Sequence, residues 1–147
     1  MSMYGLKILY SDWPINRIER IAFPKNRYGM ASDMIPGTLC LVYLTGPIKR
    51  IVTAVKITGT IADGSKNWPN HDNEYPRWPY AVPHELLMPL KQGIPLKNIR
   101  EMWKPDFGPR LGDTYFELKK EIYDKFFDVL ATQPVFDWAQ WLCSHRK

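Results

Sequence analysis

Six aromatic residues stand in stretches of this chain that also carry its polar and basic groups: Tyr10, Trp13, Tyr43, Trp68, Trp78 and Tyr80. Such rings can stack on a planar base, and neutral aromatic walls suit methyl groups attached to one. Lys25, Arg27, Lys49, Arg50 and Arg77 lie in or beside the same segments, where they could hold phosphates. A core position competes for each ring taken singly, so their meeting at one end of a sheet is an expectation about the group. Trp138 and Trp141 differ. With Val135 and Leu142 they fall on one stripe at helical spacing, which predicts packing.

Other chemistry is sparse. His71, His84 and His145 are far apart, and neither CxxC nor HxxxH spacing occurs, so neither a metal nor another cofactor is expected. There is no Walker lysine loop, no GxGxxG and no GxSxG. The adjacent His84 and Glu85 form an acid–base candidate, as do His71 and Asp72. Cys40 sits inside an apolar run and Cys143 has no motif partner, which predicts free thiols in a reducing cytosol.

The elements that would position these residues follow from patterning. Gly5 to Tyr10 predicts a strand with Leu6, Ile8 and Tyr10 on one face. Asp12 can cap a helix with Pro14 in its first turn, and Ile15, Ile18 and Ile21 or Ala22 recur at helical spacing up to Pro24. Lys25 to Tyr28 then reads as a basic loop. Leu39 to Leu44 is an unbroken apolar run, Thr45-Gly46-Pro47 supplies turn chemistry, and Arg50 to Thr58 is rich in β-branched residues. This hairpin, from Pro36 to Gly59, is expected at the centre of a sheet. Ile51, Thr53, Val55 and Ile57 should share one face.

Asp63 to Pro76 predicts a long surface loop carrying Trp68. Arg77 to Leu90 resumes an extended pattern, but prolines 79, 83 and 89 confine it to an edge or bent strand. A short helix is expected over Lys97 to Trp103, a short strand over Tyr115 to Leu118, and a clear amphipathic helix over Glu121 to Leu130. A last helix is expected from Pro134 to His145. The order favours an α+β fold: a curved antiparallel sheet or small β-barrel with flanking helices.

Length and composition agree with one domain. A chain of 147 residues with 45% apolar content can bury a core without disulfide or metal support. Its net charge of +5 and pI near 9.2 are compatible with an anionic partner. No signal-peptide pattern and no apolar run approaching the ~20 residues of a membrane span is visible, so a cytoplasmic location without membrane contact is expected.

From Leu6 to Leu130 the ordered features resemble the EVE domain of the PUA-like superfold, a relative of YTH and ASCH domains. They are Ser11-Asp12-Trp13 after the first strand, Phe23-Pro24-Lys25-Asn26-Arg27-Tyr28, the paired runs PGTLCLVYLTG and IKRIVTAVKITG, Arg77-Trp78-Pro79-Tyr80, and Tyr115-Phe116-Glu117-Leu118 before an amphipathic helix. Thr38 stands where that family usually has Asp after the turn glycine, and Ile21 where it often has Trp. The helix after Pro134 lies outside the pattern. The resemblance implies a PUA-like domain over residues 1–133 with no catalysis of its own; residues 134–147 are expected, from their helical stripe, to pack on it as a helix. It also implies that DNA or RNA is the partner, and that a modified, methylated base is flipped into an aromatic cage. The cage would use Ser11, Trp13, Asn26, Tyr43, Trp78 and Tyr80, with Lys25, Arg27, Lys49, Arg50 and Arg77 on the backbone. Similar domains serve methylation-dependent restriction systems beside an effector domain or subunit. Two other readings stay open: a protein-interaction module docking through the C-terminal tryptophans, and a nucleotide- or RNA-acting enzyme using His84.

Overall fold

The apolar run Leu39–Leu44 becomes a central strand whose two faces are buried in separate clusters, so neither face needs a polar alternation. The computed structural model describes residues 3–9, 21–23, 28–60, 80–108 and 114–145, with backbone alone at 22, 23, 28, 80 and 81. In chain order the elements are β1 (Tyr4–Leu9), β2 (Ile21–Phe23), α1 (Tyr28–Ser32), β3 (Leu39–Leu44), β4 (Arg50–Ile57), β5 (Tyr80–Val82) and β6 (His84–Leu86). They continue as β7 (Ile94–Pro95), α2 (Leu96–Met102), β8 (Tyr115–Glu117), α3 (Lys120–Thr132) and α4 (Trp138–His145). The main sheet runs β6–β4–β3–β1–β8, with β7 on a second stretch of β4, and β2 pairs with β5 in a separate ribbon. The fold is α+β, an open sheet with flanking helices.

The sheet is mixed. The β3–β4 hairpin is antiparallel as expected, but β1 lies parallel to β3, with Tyr4 opposite Leu39 and Leu9 opposite Leu44. A parallel pair needs a crossover of a dozen or more residues, and the chain between Leu9 and Leu39 is long enough to supply one. Ile21 and Ala22, expected at the end of a helix, are instead in β2, opposite Val82 and Ala81. Pairing and burial of Ile21 against Val82 override the helical spacing of the preceding isoleucines. Tyr28, expected in a loop, begins α1. The expected loop from Asp63 to Pro76 lies outside the described residues.

A bulge between Val42 and Tyr43 corrects the expected face of β4. Thr53 pairs with Val42 and Ile51 with Tyr43, leaving Val52 as the extra residue. Ile51 therefore joins Leu6, Ile8, Leu41, Tyr43 and Ala54 on one face, covered by Ile99 of α2 and by Tyr123, Phe126 and Leu130 of α3. Val52 turns to the other face with Cys40, Val42, Leu44, Val55 and Ile57, beneath Ile21, Ala31, Met34 and Val82 and the α4 residues Trp138 and Leu142. Full burial of a side chain such as Phe126 stabilises by about 2–3 kcal/mol.

The segment from His84 to Pro95 is one bent edge. Ile57 faces His84 and Val55 faces Leu86; further along, Leu87 N–H donates to Ala54 O at 2.9 Å and Lys91 N–H to Val52 O at 2.8 Å, until Ile51 meets Ile94. Each offset adds residues on the outer strand, and Pro89, which cannot donate, sits where the ladder is broken. Gly93 closes the last offset at φ +94, where a Cβ would collide with the carbonyl of Ile51.

The last helix starts later than expected. Residues 134–136 run extended: Gln92 N–H donates to Pro134 O, Val135 bridges Lys91, and Phe136 N–H donates to Leu90 O. Val135 thus leaves the predicted stripe and is 65% exposed. Asp137 Oδ1 accepts from Gln140 N–H at 2.9 Å, capping α4 at its true start. Trp138 and Leu142 are buried, and Trp138 Nε1–H donates to Lys91 O at 2.8 Å.

Candidate functional site

The turn between β3 and β4 is fixed from three sides. Thr45 N–H donates to Leu9 O at 3.0 Å, Ile48 N–H to Thr45 O at 3.2 Å, and Leu96 N–H to Lys49 O at 3.1 Å. Ile48 is buried beneath it. Lys49 is consequently held at φ 54, a left-handed conformation unusual for a residue with a Cβ, and its side chain is exposed. Arg50 follows, its guanidinium carbon 5.8 Å from the ring centroid of Trp138. Neither cation has a carboxylate partner among the described residues. The turn therefore presents two positive charges from a rigid base.

The bond from Thr45 to Leu9 places this turn beside the end of β1, from which the chain continues to Ser11 and Trp13. In the small ribbon, Phe23 is the register partner of Tyr80. The points of attachment for residues 24–27 and 77–79 are thereby adjacent. Ser11, Trp13, Lys25, Asn26, Arg27, Arg77 and Trp78, and also Tyr10 and Trp68, lie outside the described residues. Tyr80 is described by its backbone in β5.

Tyr43 departs from its expected place on a ligand pocket. It is 1% exposed and packs edge-on against Phe107, with ring centroids 5.9 Å apart. Regular alternation along β3 places it with Leu41 on the α2–α3 side of the core, and burial pushes its hydroxyl up to about 12 against the opposing charge of Arg100. Tyr43 is a core residue. His84 is half-buried on the edge strand and Glu85 exposed, and strand alternation sends the two side chains to opposite faces.

Sequence reasoning missed a buried polar cluster between β1, β3 and β8. Lys7 is wholly buried, and its Nζ contacts Ile8 O at 3.1 Å, Thr114 O at 3.2 Å and Thr114 Oγ1. Burial lowers its pKa to about 7, with the Cys40 thiol acting in the opposite sense. Three oxygens, two of them backbone carbonyls, thus accept from the Lys7 amine in the interior. Beside it, Tyr115 lies across Gly5, where a Cβ would fall within the phenol ring, and its hydroxyl donates to Cys40 Sγ. Burial raises the Cys40 thiol to about 12, with Lys7 and the Tyr115 hydrogen bond opposing. The signal was Gly5 followed two residues later by a lysine within an apolar strand.

Among solved structures, the chain is similar to protein Atu2648 from Agrobacterium tumefaciens, at 16% identity and a TM-score of 0.57 over 91% of this chain and 98% of that one. It is similar to Rpa0253 from Rhodopseudomonas palustris at 16% identity and 0.53, covering 87% and 92%. The ASCH protein from Zymomonas mobilis matches at 12% identity and 0.51, covering 92% of this chain and 99% of that one. The fold is thus similar to that of the ASCH protein. At these identities the likeness concerns the fold. No family model matches the sequence, and no curated protein matches it. No helix among the described residues is long and apolar enough to cross a membrane.

Proposed function

We propose that this chain is a non-catalytic nucleic-acid-binding module that reads a modified, methylated base flipped into an aromatic pocket. The observation that carries the reading is the turn at Lys49 and Arg50. Two cations without carboxylate partners among the described residues are held rigidly beside the exit of β1 toward Ser11 and Trp13. Phosphate contacts of this kind fix register and orientation, and a base pocket adds sequence or modification readout. Extruding a base costs a few kcal/mol, so the pocket must supply stacking and edge hydrogen bonds. Trp13, Trp78 and Tyr80, with Ser11 and Asn26, are the residues assigned to it through the EVE-like pattern; Tyr43 supports the sheet behind. Lys25, Arg27 and Arg77 extend the phosphate contacts. A module of this type would act for a separate effector, as in a modification-dependent restriction system, within the cytoplasm.

The test is a titration of methylated and unmethylated oligonucleotides, both DNA and RNA, at two salt concentrations. Tighter binding of one methylated form, lost in Trp13→Ala or Trp78→Ala, is expected. Absence of binding at low salt, or unchanged discrimination in both variants, overturns the reading.

A further inference from the structure

The end of α4 carries a second array of rings that the base pocket does not use. His145 stacks on Trp141 with centroids 4.1 Å apart and planes at 18°. Its Nδ1 lies 2.7 Å from Trp141 O, so the ring donates there and is fixed in orientation. Trp141 meets Trp138 edge-to-face at 5.2 Å, and Trp138 lies under Arg50 at 5.8 Å. The contacts thus run without a break from the cationic turn, through two indoles, to an imidazole at the helix end.

Trp138 is buried and Trp141 half-buried, whereas His145 is exposed. One face of the imidazole is covered by Trp141, which leaves the other to the outside. An aromatic platform bordered by cations that have no carboxylate partner among the described residues matches a polyanion with flat bases. Bases stack on the rings whatever their sequence, and phosphates follow the positive charge. A protein partner fits less well, because Lys49 and Arg50 offer charge and the exposed ring offers little apolar area.

We infer that the Trp141–His145 stack, together with Lys49 and Arg50, is a contact strip for single-stranded nucleic acid: a base on the outer face of His145, phosphates on the two cations. The inference deepens the proposed function and rests on it. The strip holds the strand beyond the base pocket and reads no modification.

A fluorescein-labelled, unmodified oligothymidylate of about fifteen nucleotides and a duplex in methylated and unmethylated form are titrated by anisotropy against the wild-type chain, His145→Ala and His145→Tyr. The expected result is a loss of five-fold or more in oligothymidylate affinity for His145→Ala, recovered in His145→Tyr, whose ring can still stack. The ratio of methylated to unmethylated duplex affinity stays unchanged in both variants. If His145→Ala binds oligothymidylate within two-fold of wild type, the strip is overturned and the proposed function stands. If wild type binds neither probe at low salt, both fall. Circular dichroism of each variant confirms that the helix end remains folded; a variant that weakens binding only by unfolding overturns the strip.

Discussion

Lys7 Nζ lies 3.2 Å from the carbonyl oxygen of Thr114, joining the first strand to the start of the last across more than a hundred residues of chain. The amine is wholly buried and its pKa lies near 7. Below about pH 7 the folded and unfolded chains both hold the proton. Between 7 and the unfolded value of about 10.4 only the unfolded chain does, so stability rises with pH in that window. Each pH unit contributes about 1.4 kcal/mol. Cys40 acts with the opposite sign, because its folded pKa of about 12 keeps a proton that the unfolded thiol loses above about 8.5. Urea unfolding should therefore show stability increasing by roughly 1–2 kcal/mol from pH 7 to 9, and levelling beyond. Lys7→Met should flatten the rise. A wild-type curve without slope between pH 7 and 8.5 contradicts a neutral Lys7.

Gly5→Ala places a methyl group inside the Tyr115 ring. The ring must move or β1 must shift from β8, and overpacking of this kind costs about 1–3 kcal/mol. In Tyr115→Ala the same substitution should cost far less. A double-mutant cycle in thermal or urea unfolding checks the coupling, which should exceed about 1 kcal/mol; additive losses would mean that the two groups do not compete for space.

Lys49→Gly separates strain from charge. Glycine accepts φ 54 without a Cβ penalty, so the variant should be more stable by about 0.5–1 kcal/mol. It should also bind nucleic acid more weakly, and the slope of log affinity against log salt should fall by about one. Lys49→Ala keeps the strain and loses the charge. Equal affinity of Lys49→Gly and wild type at low salt would remove Lys49 from the phosphate contacts.

Tyr123 carries a buried hydroxyl without a hydrogen-bond partner among the described residues, and burial raises its pKa. Tyr123→Phe removes an unpaired polar atom while keeping the rings that pack on Tyr4 and Phe127. Stability should stay level or rise by up to about 1 kcal/mol, measured by urea unfolding. A loss of more than that would reveal a partner for the hydroxyl.

The hairpin from Leu39 to Ile57 was legible because a doubly covered strand has a plain signature, an apolar run of β-branched and aliphatic residues. Helix α3 was legible for a similar reason, since Tyr123, Phe126 and Leu130 repeat at helical spacing. The bent edge from His84 was legible through its prolines. Other features exist only as relations between distant residues. The bulge at Val52 is a matter of register with Val42 and Tyr43, and it decides on which face of the sheet Ile51 lies. β2 is a strand because Val82 lies opposite Ile21, which no local spacing records. Lys7, between Leu6 and Ile8, reads as the wet face of a strand until β8 and Cys40 are placed over it. The cations at Lys49 and Arg50 were legible; the tryptophans of α4 were read as packing or as a protein-docking face, and their stack with His145 was not, because periodicity distinguishes a face of a helix and not its last turn.

The placement of β1 between β3 and β8 has a consequence for synthesis. While the chain is being made, β1 and β3 can meet as soon as Leu44 has emerged, but the other side of β1 has no partner until residues 115–117 follow. For the intervening seventy or so residues the sheet has an open, apolar edge at its centre, the condition under which strands pair with the wrong neighbour. The last strand to be synthesised is thus the one that seals the first.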